Sequence, residues 1–145
     1  MPKPDPALLD HARYPFRCSI ETRFGDLDVN LHVNNVSLAG LLEEGRVRFH
    51  RAAGTISALG AAGAMPMVAS LQIEFLGQSY FPDPLDLQVA PSHLGRTSYT
   101  LAQLVTQKDR VVSYAQAVMV CMGKEGPVAL PEAFRETMQA WMLRA

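Results

Sequence analysis

One apolar stripe of helical period, followed almost entirely by strand-like alternation, limits this chain more than any other feature. Leu38, Leu41, Leu42, Gly45, Phe49 and Ala52 recur at steps of three and four residues, which makes one face of a long helix apolar. Asn34 or Asn35 is suited to cap its start, and Gly54 to stop it. About eighteen helical residues span about 27 Å, which is long for a domain of this size. Val47 is expected to be the next buried position. Glu43 and Glu44 are expected to be structural carboxylates or ion-pair partners of Arg46.

The flanking segments alternate. Residues 17–24 set Cys18 and Ile20 against Arg17, Ser19 and Glu21, as a half-buried strand does. After the helix, Leu71, Ile73 and Phe75 alternate with Gln72 and Glu74, and Leu85, Leu87 and Val89 with Asp86 and Gln88. Two more runs follow at 98–106 and 111–122, with turns at 82–84, 93–96 and 108–109. A short last helix opens with Pro131 and shows Phe134, Met138, Trp141 and Met142 on one face. Residues 1–15, with Pro2, Pro4, Pro6 and Pro15, are expected to be an irregular leader, and 16–145 a single domain. The order predicts an α+β fold: an antiparallel sheet wrapped around one long central helix.

Charge and composition remove several function classes. Thirteen Lys and Arg against fourteen Asp and Glu leave a net charge of -1, with no field for a nucleic-acid backbone. Residues 52–73 carry no charge, yet Gly54, Gly60, Gly63 and Pro66 interrupt them. They are expected to be a helix end, a small-residue loop and a strand start, not a membrane span. The first residues lack the apolar core of a secretory signal, and Cys18 and Cys121 have no zinc-site spacing. The expectation is a soluble, cytoplasmic protein with reduced thiols, no resident metal and no cofactor.

Only one stretch is dense in reactive groups: Asp26, Asp28, Asn30, His32, Asn34 and Asn35, just before the long helix. A helix start leaves backbone N–H groups unpaired and partly positive, and so suits a carbonyl that becomes an oxyanion. A carboxylate just upstream can attack that carbonyl or activate water. Asn34 and Asn35 serve capping at least as well as catalysis. A calcium loop is excluded, because Leu31 stands where Gly is needed and Ser37 where Glu is needed. Asn35-Val36-Ser37 is a glycosylation sequon, without consequence inside a cell.

The string R-F-G-D-L-D-V-N-L-H-V-N-N, followed by L-L-E-E-G-R, resembles the hot-dog-fold acyl thioesterases. It is similar to the 4-hydroxybenzoyl-CoA thioesterase-like family, whose pattern is D-x-D-x-x-G-H-V-N-N and then E-E-A-R, and to plant acyl-carrier-protein thioesterases. S-L-Q-I-E-F-L-G, H-L-G-R-T-S-Y and A-L-P-E-A-F-R extend the likeness over residues 17–136. Three positions depart from the family: Leu31 for Gly, Leu38 for an aromatic residue and Gly45 for Ala.

The resemblance implies Asp28 as nucleophile or general base, with Asn30 and His32 as its polar partners. It implies carbonyl polarisation by the amides of Val33, Asn34 and Asn35. Arg96 and Ser98 are the candidates for coenzyme A contacts, with Lys108 or Arg110 behind them. The implied substrate is an acyl-CoA or acyl-carrier-protein thioester, and the implied unit is a homodimer or homotetramer with sites at the join. Two other outcomes stay open: a hot-dog enoyl-CoA hydratase or dehydratase, whose G-D-x-N-P-[LIV]-H signature D-V-N-L-H approaches, and a non-catalytic protein that binds acyl thioesters.

Overall fold

A computed structural model describes residues 3–145; Met1 and Pro2, the start of the expected leader, lie outside the described residues. The elements are β1 (Phe16–Ile20), α1 (Asn35–Ala53), α2 (Thr55–Ala61), β2 (Met65–Phe75), β3 (Leu85–Leu94), β4 (Ser98–Gln107), β5 (Arg110–Gly123), β6 (Gly126–Pro127) and α3 (Glu132–Ala140). One antiparallel sheet has the order β1-β3-β4-β5-β2, with β6 added to β5. The fold is the α+β arrangement that the sequence predicts. Among the described residues no helix is long and apolar enough to cross a membrane.

Alternation decides which face of the sheet is apolar. Leu85, Leu87 and Val89 of β3, Leu101 and Val105 of β4, and Ala115 and Ala117 of β5 all point inward. They meet Leu38, Leu41, Leu42 and Phe49 of α1, every one of them buried. Burying a Leu or Phe side chain in this way stabilises the fold by about 1.5–3 kcal/mol each. Since strands from β1 to β5 all reach the same helix, the sheet curls around it. The helix lies tight against the sheet at Gly45, where a Cβ would sit 2.7 Å from Leu87 Cδ2. Asn34 caps α1 through its side chain, which accepts from the Val36 N–H at 2.8 Å, and Gly54 ends the helix at φ 72°.

The edge strand β2 holds its inward pattern through a register shift between Val68 and Ser70. Pro66 and Val68 face the same side as Leu71, Ile73 and Phe75, because Ala69 is one residue in excess.

Several expectations need correction. The first strand stops at Ile20, and residues Phe24–Asp26 form a 3-10 turn instead of its end. Buried Asp26 causes this, accepting from the Arg23 N–H and guanidinium at 2.9 Å each. The expected small-residue loop contains α2, which seats Thr55 and Leu59 in the core. Ala52 and Val47 are exposed, whereas Arg46 is buried and bonds Gln103 Oε1 at 3.0 Å. The ion pair on this helix joins Glu44 to Arg48, one turn on. The leader is not merely irregular. It forms two 3-10 turns, buries Tyr14 and covers Ala102, Leu104 and Tyr114 on the outer face of the sheet.

A polar chain runs through the core beside Arg46. His50 Nδ1 lies 2.9 Å from the Arg46 carbonyl, which can only accept, so Nδ1 carries the proton. Nε2 then accepts from the Tyr99 hydroxyl at 2.8 Å. Burial pushes the His50 pKa down to about 4, despite the bond to the Arg46 carbonyl, and the Arg46 charge adds to the lowering. An unfolded imidazole binds its proton below pH ~6.5. Stability should therefore fall as pH drops from that value to about 4 and gain no further slope from His50 below it. Urea denaturation of wild type and His50→Gln over this window checks the assignment, and the variant should show the flatter profile.

Candidate active site

The loop between β1 and α1 folds around a single carboxylate. Asp28 Oδ1 accepts the backbone N–H of Asn30 at 2.8 Å and of His32 at 3.2 Å. The Asp28 N–H donates to the His32 carbonyl, and the Leu31 N–H to the Asp28 carbonyl. This tight turn drives Leu31 to φ 65°, a left-handed conformation that explains why the family pattern has Gly there. Asp28 Oδ2 has no protein partner among the described residues. It opens on a cleft of about 420 Å³ lined by Phe24, Leu27, Val29, Leu31 and Asn34.

The two aspartates of D-L-D divide the work. Asp26 is buried, and its hydrogen bond to Arg23 holds its carboxyl below the usual range against the opposing effect of burial. Its carbonyl takes the Asn34 N–H at 2.7 Å, and Ser79 takes the Val33 N–H at 2.9 Å. The first aspartate thus ties the loop to the helix start, and the second keeps one carboxylate oxygen without a protein partner among the described residues.

The same bonds sort the three candidate amides. Val33 and Asn34 already donate within the protein, and the Asn34 side chain satisfies Val36. Asn35, the first residue of α1, is the member of the trio whose N–H meets no acceptor among the described residues. It lines a second cleft, of about 230 Å³, with Leu38, Phe75, Gln78 and Ser79.

Asn30 is exposed, and its backbone N–H, not its amide side chain, holds Asp28. The His32 ring packs edge-on against Tyr80, with centroids 5.3 Å apart at 75°. Arg110 caps that stack with its guanidinium 5.9 Å from the Tyr80 centroid. Gln107 fixes Tyr80 from below, donating to its carbonyl and accepting from its N–H. Sequence reasoning missed Tyr80, which reaches the loop only through the bridge between His32 and Tyr80 across the chain.

Arg96 and Ser98 do not join this group. β4 runs from Ser98 to Gln107, and Gln107 holds Tyr80, so nine strand steps of ~3.3 Å put Ser98 about 30 Å from the His32 end. Arg110 and Lys108 lie at the near end instead, where Lys108 pairs with Asp83 at 3.2 Å. Glu43 and Glu44 are exposed on α1, well past its first turn.

A family model described as the thioesterase-like superfamily matches residues 22–141. A thioesterase from Thermus thermophilus, solved with coenzyme A and zinc, is 29% identical, with a TM-score of 0.77 over 89% of this chain and 95% of that one. A probable thioesterase from Escherichia coli, YbaW, is 25% identical, with a TM-score of 0.78 over 87% and 98%. A Pseudomonas aeruginosa protein at 21% identity shares the fold, with a TM-score of 0.81 over 93% and 96%. No curated protein sequence matches the chain.

The strained turn makes a prediction about Leu31, which is mostly exposed and contributes little packing. Leu31→Gly relieves about 1–2 kcal/mol of left-handed strain but adds about 0.5–1 kcal/mol of unfolded-chain entropy. The net change should be neutral to slightly stabilising. A β-branched Val at the same place should cost about 1 kcal/mol or more. Denaturant midpoints for the two variants check the order.

Proposed function

Because the chain belongs to the thioesterase-like superfamily and has its hot-dog fold, we propose that it hydrolyses acyl thioesters, with coenzyme A as the acyl carrier. One observation carries this reading. Asp28 has one carboxylate oxygen held by two loop amides and the other free, in the loop that leads into α1, whose first residue, Asn35, has an unused N–H.

A thioester suits such a sparse site. Its leaving thiol has a pKa near ~8.5, so departure needs no strong general acid. What remains is an oxygen nucleophile and a dipole for the oxyanion. Asp28 Oδ2 either attacks the carbonyl, breaking the C–S bond to release the thiolate and leaving a mixed anhydride that water hydrolyses, or takes a proton from an attacking water and passes it to the departing thiolate. The Asn35 N–H and the α1 dipole stabilise the charge that builds on the carbonyl oxygen. Asn30 and His32 act through the backbone, as the donors that aim Asp28. The His32–Tyr80–Arg110 stack keeps the loop in place.

The working unit in this proposal is a pair of chains. Edge strand β2 exposes Met65, Met67, Val68, Leu71 and Phe75, and the free side of α1 exposes Val36 and Val47. In a two-fold pair with antiparallel β2 edges, the Phe75 end of one strand meets the Met65 end of the other. The Met65 end carries the Arg96–Ser98 turn, since Met65 pairs with Met122 and the Cys121 N–H donates to Thr97. Pairing would therefore bring one chain's Arg96 and Ser98 to the other chain's Asp28, where coenzyme A phosphates need a cation.

Thiol release from a panel of acyl-CoAs, and from acyl-carrier-protein thioesters as a second arm, tests the reading. Asp28→Asn keeps the oxygen that accepts the two loop amides and should therefore melt close to wild type. Its rate should fall by about 10²–10⁴. No thiol release by wild type, or equal release by both proteins, sinks the proposal.

A further inference from the structure

Between α1, α2 and the inner face of β2 lies a third cleft, of about 390 Å³, with apolar walls from Val47, Ile56, Pro66, Val68 and Met119. Its polar groups are unusual for such a place. Arg46 and His50 also line it, although both are almost completely buried, at 4% and 3% exposure. His50 is neutral and already bonded on both ring nitrogens. Arg46 is not so satisfied. Only Nη1 has a protein acceptor, the neutral amide oxygen of Gln103, and no carboxylate lies within salt-bridge distance of the guanidinium among the described residues.

A buried guanidinium costs several kcal/mol unless an anion or a full set of acceptors meets it. Gln103 is itself committed, donating to the Leu42 carbonyl at 2.9 Å, so Arg46 is held in one orientation. With Nη1 used, the Nε–Nη2 edge remains, and that edge binds a carboxylate through two parallel hydrogen bonds. The charges around the cleft are Arg46 and Arg51 against Glu43, a net positive balance. We infer that this cleft is an acyl subsite for a group ending in a carboxylate, with Arg46 as the residue that recognises it.

The inference rests on the thioesterase reading and narrows its substrate class. The cleft lies at the Met65 end of β2, through Pro66 and Val68. In the antiparallel pair that end adjoins the start of the partner's α1, so an acyl chain attacked there has its tail directed into the cleft. The apolar walls hold methylenes, and the buried fork holds the terminal anion. A chain ending in methyl would leave the Arg46 edge desolvated and unpaired, which sets the discrimination.

Uncleavable coenzyme A thioethers separate this inference from turnover. Calorimetry on the intact protein would compare analogues of succinyl-, glutaryl- and adipyl-CoA with those of butyryl-, valeryl- and hexanoyl-CoA. At the best-fitting length the carboxylated analogue should bind at least about tenfold more tightly than its methyl-ended twin. That ratio should drop to about one in Arg46→Gln, and partway in Arg46→Lys, which keeps the charge but loses the fork. Circular dichroism and melting establish that each variant is folded; if Arg46→Gln fails to fold, Arg46→Lys carries the comparison. A ratio near one or below it at every length, binding of neither analogue, or a ratio that survives in a folded variant overturns the inference. Preference for the carboxylate without any thioester hydrolysis would sink the enzymatic reading alone. Hydrolysis without the preference would sink only this one.

Discussion

Every functional feature depends on where the inner face of the sheet holds α1. Leu42 and Phe49 are fully buried, and Gly45 lets the helix come close enough to Leu87 that no larger residue fits without movement. Packing fixes the helix axis, and the Val33 to Ser79 and Asn34 to Asp26 hydrogen bonds fix its first residue. The unused Asn35 N–H follows from that placement. So does the position of Asp28, whose loop has only a few residues in which to turn. The site is preorganised by burial that occurs elsewhere in the domain.

Polarity is unevenly distributed along the molecule. One end of the sheet carries the Asp28 loop, Tyr80 and Arg110; the other carries Arg96 and Ser98. A single chain thus holds the free Asp28 oxygen and the Arg96–Ser98 turn at opposite ends of its sheet. In the proposed pair, antiparallel β2 edges would join them and would cover the exposed apolar side chains of β2 as well. Two copies of a modest domain would then supply two sites.

The long helix, the alternation of β3 to β5 and the Asp28 cluster are legible in the sequence because each repeats on a period or concentrates in a few residues. The failures have identifiable causes. Arg46 and His50 continue the four-residue ridge of Leu38 and Leu42, yet their charge argues for the surface; Gln103, Tyr99 and a backbone carbonyl reverse that argument. Val47, the next position expected to be buried, stands off that ridge and is exposed. Helix α2 is hidden in a tract of Ala, Gly and Ser, where the pair Thr55 and Leu59 is too short a signal to show a period. Tyr80 and the choice among Val33, Asn34 and Asn35 rest on contacts between distant segments, which no local pattern carries.

The extra residue in β2 gives that strand something like a reading frame. Pro66 and Val68 before Ala69, and Leu71, Ile73 and Phe75 after it, share the inner face only because one residue there is uncounted by the pairing. Substitutions along the strand alter one side chain each. Loss of Ala69 would leave Leu71 two positions after Val68, so plain alternation would keep every later side chain on its face; Ala69 retained but paired without the bulge would instead send Gln72 and Glu74 inward and Leu71, Ile73 and Phe75 outward. The faces of the strand are thus set by which residues pair, and the bulge is where a spare residue is absorbed.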